Sequence, residues 1–409
     1  MKRLLVVSSV TLFLLVNTAV SVQSQQGAIH GCYQKSNADL RVVPTTNECN
    51  ATELAVSWVK SSSNSGVKKT GTKTITPLPT LGGTENFGYA INDRGEIVGS
   101  SRTSGDADTH AFLLRLGQAT DLSPINSGAI QTTGPTGINN HGQIASGLVV
   151  NGVYVPAIYD SLGQKTTLLG SFGGSFFGFS GVATSINNGD AAVGFAYLNA
   201  SNRHAFLYRD GVLTDIGSFG GYSGATDIND GGTIVGFASN SVFGIAHAFS
   251  YSDGTMTDID PFGGASFTTS ESYARSVNNR GDVVGEGLIA AGSAFHGFLN
   301  RNGSVTDLGT LPAGRNSYAK GISDNGVIVG TADVPYTTTC FDIFTGQPYS
   351  CTQYKLSAFL YANGTMIDLN NLLPSNSGWE LITAFDINNR GQIVGYGLLN
   401  GKFRAFVLQ

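Results

Sequence analysis

The sequence predicts an all-β protein, a seven-bladed β-propeller whose blades are four-stranded antiparallel sheets. One motif occurs seven times: an aliphatic residue, two polar residues, a turn, and then two or three β-formers. Further strand-like segments follow each copy, which gives four strands in about 45 residues. One fourth-strand segment stands alone before the first unit, and the last unit lacks its fourth strand. We therefore expect a closed ring in which an N-terminal strand completes the last blade.

Residues 1–24 have the pattern of a bacterial signal peptide. Lys2 and Arg3 precede an apolar stretch over residues 4–20, and Ser21 or Ser24 offers a small residue for cleavage. A membrane anchor is the alternative, but polar residues interrupt this stretch and it is short for a bilayer span. We expect a secreted protein, extracellular or in the cell envelope, with no membrane span after cleavage.

Two further segments precede the repeats. Residues 25–58 predict a small β module of two or three short strands, and this stretch resembles a short module that follows the signal peptide of many secreted bacterial proteins. Residues 59–71 are rich in Ser, Lys and Gly and predict a flexible linker, because they hold too little apolar surface to fold.

The four cysteines form two local pairs, Cys32 with Cys49 and Cys340 with Cys351. An even number in an exported chain favours two disulfides. Zinc is the competing interpretation, but neither pair has a histidine at ligand spacing.

The repeats occupy residues 72–409. The motif copies begin at Ile91, Ile138, Ile186, Ile228, Val277, Ile322 and Ile387. Each copy predicts the first two strands of a blade. A His-Ala-Phe segment or a variant of it predicts the third, and an Asp-Gly or Asn-Gly turn leads to the fourth in several units. Residues 75–83 align with the fourth-strand segment 213–221, so they supply the strand that is expected to close the ring.

Three motifs recur in one order: Ile-Asn-Asn-x-Gly-x-Ile-Val-Gly, His-Ala-Phe, and Thr-Asp-Leu-Gly-x-Leu-Gly-Gly. In this the chain resembles the HAF-repeat family of secreted bacterial proteins, over about residues 73–409. The resemblance implies export and a propeller-like array and assigns no catalytic residues. Some units depart from the pattern, with Pro156, Ser357 and Arg404 in place of histidine and Ser146 in place of glycine.

Composition argues against several functions. Charged residues are 12% of the chain, against roughly 25% in ordinary proteins, and the net charge of −5 is unclustered. No basic stripe indicates nucleic acid as a partner. The sequence contains no nucleophile elbow, phosphate-binding loop or zinc-protease helix, and so predicts no catalytic residue.

Two repeated features resemble metal ligands. Four histidines share one repeat position: His110, His204, His247 and His296. They could converge and bind a metal, or each could bond a turn of its own blade. Three units do without this histidine, so no metal site is predicted. The Asn-Asp and Asn-Asn turns resemble pieces of calcium loops but lack the bidentate acid, which leaves calcium at one or more turns as an open alternative to no cofactor.

The most individual segment is the insertion at residues 334–354. It predicts a disulfide-closed loop that carries Phe341, Phe344 and Tyr349, and aromatic side chains on such a loop suit a sugar or a peptide. The leading hypothesis is a non-catalytic extracellular binding or scaffold protein with a glycan or protein ligand. The alternatives are a secreted propeller enzyme, a glycan hydrolase or lyase, and a purely structural envelope component. Acidic residues with perturbed pKa values in one cleft would favour the enzyme, and an aromatic groove without paired carboxylates would favour binding.

Overall fold

The structure, a computed structural model, describes residues 28–34, 40–43, 53–59, 73–122, 136–263, 270–289, 294–341 and 347–409. The chain divides into two compact units, Met1–Lys68 and Lys69–Gln409. The first unit contains one antiparallel sheet of order β2-β1-β3, formed by β1 (Ala28–Gln34), β2 (Leu40–Val43) and β3 (Glu53–Val59). The pairing predicted between Cys32 and Cys49 lies outside the described residues.

The second unit is a seven-bladed propeller of four-stranded antiparallel sheets, which confirms the predicted fold. The strand β4 (Ile75–Pro77) comes first in the chain. Blade 1 holds β5 (Gly82–Ile91), β6 (Ile97–Thr103), β7 (Thr109–Arg115) and β8 (Gln118–Asp121). Blade 2 holds β9 (Gly137–Ile138), β10 (Gln143–Val150), β11 (Val153–Asp160) and β12 (Lys165–Leu168). Blade 3 holds β13 (Gly181–Ile186), β14 (Ala192–Tyr197), β15 (Arg203–Arg209) and β16 (Val212–Asp215).

The remaining blades repeat the same order. Blade 4 holds β17 (Ser223–Ile228), β18 (Ile234–Ser239), β19 (Ala246–Ser252) and β20 (Thr255–Asp258). Blade 5 holds β21 (Ser272–Val277), β22 (Val283–Leu288), β23 (Phe295–Arg301) and β24 (Ser304–Asp307). Blade 6 holds β25 (Ser317–Ile322), β26 (Ile328–Phe341), β27 (Pro348–Ala362) and β28 (Thr365–Asp368). Blade 7 holds β29 (Trp379–Ile387), β30 (Ile393–Leu399) and β31 (Lys402–Leu408).

The ring closes through the N-terminal strand, as predicted. Strand β4 pairs antiparallel with β31, with Ile75 opposite Leu408, and so supplies the fourth strand of blade 7. Leu78 follows β4 and is buried in the apolar cluster between blades 7 and 1, which includes Phe112 and Val394. Without β4, the outer edge of β31 would be left unpaired.

The core of the propeller repeats with the blades. Fully buried phenylalanines come from the third strands of six blades: Phe112, Phe206, Phe249, Phe298, Phe359 and Phe406. The glycine of the second strand makes room for this ring. At Gly236, for example, an added Cβ would stand 2.9 Å from the Phe249 ring and would overlap a backbone carbonyl of its own blade. Blade 2 has Ile158 and Ser146 at these sequence positions, and its register is shifted by one residue, with Ser146 opposite Ala157 and Ile158 opposite Ala145.

The connectivity gives the propeller two different faces. In a four-stranded meander, successive connections lie at opposite ends of the sheet. The turns after the first and third strands therefore lie on one side, here called the turn face, which carries the seven motif turns. The connections after the second and fourth strands lie on the other side, the loop face. The first strands of neighbouring blades contact one another all round the ring and enclose a central channel.

Helical structure among the described residues is limited. Short 3-10 turns occur at Ser104–Asp106 and Leu369–Leu372. None of the helices in the described part of the chain is both long and apolar enough to cross a membrane.

Candidate binding site at the central channel

The first polar residue of each motif ties its blade to the next one. Six of these residues are buried asparagines, and blade 6 has Ser323 instead. In blade 3, Oδ1 of Asn187 accepts from the backbone N–H groups of Gly189 (3.0 Å) and Ala191 (2.9 Å) in its own turn. Its Nδ2 donates to the carbonyl of Asn229 in blade 4 at 2.9 Å. The same inter-blade bond recurs from all six asparagines.

The second polar residue of each motif completes a circular hydrogen-bond network on the turn face. Its members are Asp93, Asn140, Asn188, Asp230, Asn279, Asp324 and Asn389. The backbone N–H of each residue donates to the side-chain Oδ1 of the next at 2.8 or 2.9 Å, around all seven blades. No two aspartates are neighbours in this ring, so every carboxylate is flanked by amides. The turns that resemble calcium-loop fragments thus have a role in closing the ring. In the described part of the chain, no three acidic, His or Cys side chains are grouped as metal ligands.

The recurring histidines do not converge. His204 Nδ1 lies 2.9 Å from Asp215 Oδ2, and His247 Nδ1 lies 2.8 Å from Asp258 Oδ2. His110 Nδ1 likewise lies 2.9 Å from Asp121 Oδ2, and His296 Nδ1 lies 2.9 Å from Asp307 Oδ2. In each case the aspartate belongs to the fourth strand of the same blade. The histidine therefore joins the third strand to the fourth, and in blade 6 the hydroxyl of Ser357 bonds Asp368 in the same way, at 2.8 Å.

The six buried motif asparagines are here called the asparagine ring: Asn92, Asn139, Asn187, Asn229, Asn278 and Asn388. Two carboxylates line the channel near this ring. Asp227 accepts four hydrogen bonds of 2.7 to 2.9 Å, from Ser185 Oγ, Ser276 Oγ and two backbone N–H groups. Asp386 accepts from the backbone N–H groups of Ile91 (2.9 Å) and Ile387 (2.8 Å). Burial raises the pKa of both carboxyls, that of Asp386 to about 6, and the charge of Asp227 adds to the shift of Asp386. The bonds from Ser185, Ser276, the Val277 N–H and the Ile91 N–H join first strands of different blades.

A β-bulge aims one side chain of the first strand into the channel. The bulge recurs in six blades, two residues before the aliphatic residue of the motif. The bulged residues are Tyr89, Thr184, Thr226, Arg275, Lys320 and Phe385, and all of them line a channel cavity of about 250 Å³. Bulges commonly redirect side chains beside functional sites. This position holds two cations and two aromatic rings, whereas the motif around it hardly changes.

The charged group in the channel belongs to blades 5 and 6. Arg275 Nε donates to Glu286 Oε1 at 2.8 Å, and Nη2 donates to the same oxygen. The Arg275 guanidinium lies 4.9 Å from the centre of the Tyr273 ring. Lys320 Nζ lies 5.5 Å from the centre of the Phe385 ring. Burial lowers the pKa of Lys320, and Glu286 and Arg275 act on it with opposite signs.

Aromatic rings form two groups toward the loop face, one at blades 7 and 1 and one at blades 3 to 5. On one side Phe87 lies 5.1 Å from Tyr396 and 5.9 Å from Phe403, between ring centres. On the other side Arg203 lies 4.2 Å above Phe195 and 5.7 Å above Phe237, and Phe237 contacts Tyr273 at 5.4 Å. We call this set the aromatic girdle: Phe87, Phe195, Phe237, Tyr273, Phe385, Tyr396 and Phe403.

The insertion predicted as a loop is largely a pair of strands. Strands β26 and β27 continue pairing outward to Phe341 opposite Pro348, beyond the loop face. The disulfide Cys340–Cys351 is confirmed, with its Cα atoms 5.8 Å apart. Phe341 is 65% exposed and Tyr349 is 54% exposed. The register places Tyr349 on the face of the disulfide and Phe341 on the opposite face. Phe344 lies outside the described residues.

The cations and rings at the channel were not predicted from the sequence. One signal would have indicated them. The residue two before each motif aliphatic is Thr in three blades but Tyr, Arg, Lys or Phe in the others, within an otherwise repetitive segment. A structural repeat that varies at one inward-facing position is a sign that this position serves a ligand rather than the fold.

Comparisons with known proteins leave the function open. A family model described as a protein of unknown function, DUF3466, matches residues 214–291. A search of curated proteins gives no match. The chain is similar to the β-propeller domain of the Trilobed protease from Pyrococcus furiosus (12% identity, 79% of this chain and 93% of that one, TM-score 0.47). It is also similar to an oligogalacturonate lyase from Vibrio parahaemolyticus (9% identity, 83% of this chain and 97% of that one, TM-score 0.49). A putative TolB from Agrobacterium tumefaciens is similar as well (11% identity, 94% of this chain and 98% of that one, TM-score 0.38). Likeness at this level carries no functional argument.

Proposed function

We propose that this protein is an extracellular, non-catalytic binding propeller whose ligand is a glycan, held on the loop face over the mouth of the channel. The aromatic girdle is the observation that carries the proposal. Aromatic faces offer large, rigid contact area, and the polar groups among them can orient a ligand by hydrogen bonds. A sugar ring presents both an apolar face and hydroxyl groups, and so matches this combination.

The hairpin of β26 and β27 extends the same surface. It leaves the sheet on the loop face, and its disulfide lies near its outer end. Exposed Phe341 and Tyr349 are therefore proposed as additional ligand contacts, together with Phe344. Loops and hairpins on a rigid scaffold commonly carry recognition.

The enzyme alternative has one observation in its favour. Asp227 and Asp386 line one cavity and both have a raised pKa, which is the feature expected of a hydrolase or lyase. We favour binding because every oxygen of these carboxylates already accepts a hydrogen bond within the protein, and each carboxylate accepts at least one from the first strand of another blade. Carboxylates in such bonds fasten the first strands together and are not free to exchange a proton with a sugar.

Glycan-array binding of the full-length protein tests the proposal. The Phe403→Ala variant removes a partly exposed girdle ring, and Leu116→Ala, on the opposite turn face, is the control. We expect Phe403→Ala to weaken retention by about 3- to 10-fold and Leu116→Ala to leave it unchanged. A protein that retains no glycan would refute the proposal.

Two further arms assign the site and the reaction class. A variant that lacks residues 334–354 should keep its binding and lose only part of its affinity. If it loses all binding while Phe403→Ala loses none, the hairpin and not the girdle is the site. Appearance of new reducing ends or unsaturated sugars, abolished by Asp386→Asn, would establish the enzyme instead.

A further inference from the structure

The channel holds two cations on adjacent blades, and a single glutamate acts on both of them. Arg275 and Lys320 stand at the same bulge position of adjacent blades, and both line the channel cavity. Glu286 is the acidic group that acts on both of them. Because one carboxylate serves two cations, the group carries an excess positive charge.

The geometry of Arg275 leaves one edge of its guanidinium open. Glu286 Oε1 takes Nε and one N–H of Nη2, and no acceptor among the described residues takes Nη1. The side chain is 36% exposed, whereas that of Glu286 is 4% exposed and thus fixed. Contact with the Tyr273 ring sets the plane of the guanidinium. A buried acid therefore orients Arg275 and leaves its remaining donors for a partner from outside the chain.

The ammonium group of Lys320 also lacks a hydrogen-bond acceptor among the described residues. No side-chain or backbone acceptor in the described part of the chain lies within hydrogen-bond distance of its Nζ, which stands over the edge of an aromatic cluster at Phe385. Burying an ammonium group without an acceptor is costly, and the lowered pKa of Lys320 reflects that cost. An anion placed beside Nζ would remove the cost.

We infer that the ligand is an acidic glycan, and that a sugar carboxylate binds in the channel mouth between Arg275 and Lys320 while the sugar ring contacts the girdle. This inference rests on the proposed function and adds the charge of the ligand to it. A carboxylate suits the site because its two coplanar oxygens match the open edge of a guanidinium, and a lysine serves as a point charge beside it. A sulfate ester is the competing anion.

Five aspartates also line this cavity, and each accepts a hydrogen bond from a donor of a neighbouring strand or turn: Asp93, Asp227, Asp230, Asp324 and Asp386. Arg203 is stacked among Phe195, Tyr222 and Phe237, and no carboxylate among the described residues pairs with it. The channel carboxylates Asp227 and Asp386 are engaged by N–H and O–H donors of neighbouring strands. Neither of them is among the charges that act on Lys320.

Calorimetric titration of the full-length protein tests the inference. The probes are tetramers of mannuronate, galacturonate and glucuronate, each compared with its methyl ester, which keeps the sugar ring and removes the charge. The variants are Lys320→Met, Lys320→Arg as the charge-preserving change, and Lys165→Met as a control on the exposed outer strand of blade 2. Unfolding midpoints confirm that each variant is folded.

We expect at least one uronate to bind at least tenfold more tightly than its ester, which corresponds to about 1.4 kcal/mol. Lys320→Met should abolish that preference, so that acid and ester bind alike, and Lys320→Arg should retain most of it. Equal binding of acid and ester, or no effect of Lys320→Met, would overturn the inference and leave the proposed function standing. Tighter binding of sulfated tetramers than of any uronate would overturn the carboxylate assignment. A protein that binds no charged or neutral glycan defeats the proposed function itself.

Discussion

The asparagine ring predicts where the propeller is strong and where it is weak. Replacing Asn187 with alanine removes three buried hydrogen bonds: two to its own turn and one to the carbonyl of Asn229. Each bond contributes about 1 kcal/mol net, and the buried N–H of Ala191 and carbonyl of Asn229 would lose their partner in that side chain. We therefore expect Asn187→Ala to lower the free energy of unfolding by about 2–4 kcal/mol.

Blade 6 provides the matched control. Ser323 occupies the same position, but its hydroxyl makes only long contacts with Val327, of 3.3 and 3.4 Å, and it sends no bond to blade 7. Ser323→Ala should cost less than about 1 kcal/mol. The reverse change, Ser323→Asn, supplies the missing donor to the carbonyl of Asn388 and should stabilise the protein by about 1 kcal/mol.

Guanidinium denaturation followed by far-UV circular dichroism measures all three variants. The reasoning depends on the order of the effects rather than on their exact size. Equal destabilisation by Asn187→Ala and Ser323→Ala would show that the inter-blade amide contributes nothing beyond the turn. In that case the ring of asparagines would be a feature of local turn chemistry and not a fastener between blades.

Three further predictions concern the core, the channel and the turns. Gly236→Ala should lower the free energy of unfolding by about 3 kcal/mol or more, because the added Cβ would overlap the Phe249 ring and a backbone carbonyl. Ser146→Ala, at the same motif position of blade 2, should lower it by less than about 1 kcal/mol. Equal unfolding midpoints of the two variants in guanidinium would contradict this prediction. Because the pKa of Asp386 is raised to about 6 in the folded protein, above about 3.8 in the unfolded chain, the folded state binds this proton more tightly. The stabilisation that the Asp386 carboxyl contributes to the free energy of unfolding therefore falls as the pH rises from about 4 to about 6. Asp386→Ala should remove this fall from the measured dependence of the unfolding free energy on pH. Chelation with EDTA should leave the unfolding midpoint unchanged, since the turn amides and carboxylates bond one another; a lowered midpoint restored by calcium would show that the turns bind an ion.

The fold was predictable because its signal is repeated. Seven copies of one motif require seven similar blades, and the alignment of residues 75–83 with a fourth-strand segment locates the closing strand. The insertion was predicted less well. Residues 334–354 were expected to form a loop, but their many threonines and tyrosines favour extended pairing, and the two strands continue outward from blade 6. Pairing of Cys340 with Cys351 followed from their number and closeness in the sequence.

The channel site was not predictable by the same means. Arg275 meets Glu286 across two strands of blade 5, and Lys320 joins them from the next blade. The sequence shows that this position varies between blades, but it does not show the bulge that turns these side chains inward, because a bulge is a matter of register between strands. The charged group therefore becomes apparent only when the blades are placed side by side.

The division of labour between the constant and variable positions explains how one repeat can serve both fold and function. The motif asparagines and their neighbours tie the first strands together on the turn face, so the ring does not depend on the residues that fill the channel above them. The bulge residues can therefore differ between blades without opening the ring. Three blades keep threonine there, and in blades 3 and 4 its hydroxyl still bonds the first strand of the next blade. Blades 5 and 6 substitute Arg275 and Lys320, which form no such bond. At these two blades the bulge position presents a charge to the channel instead, and Lys320 contacts the next blade through the Phe385 ring.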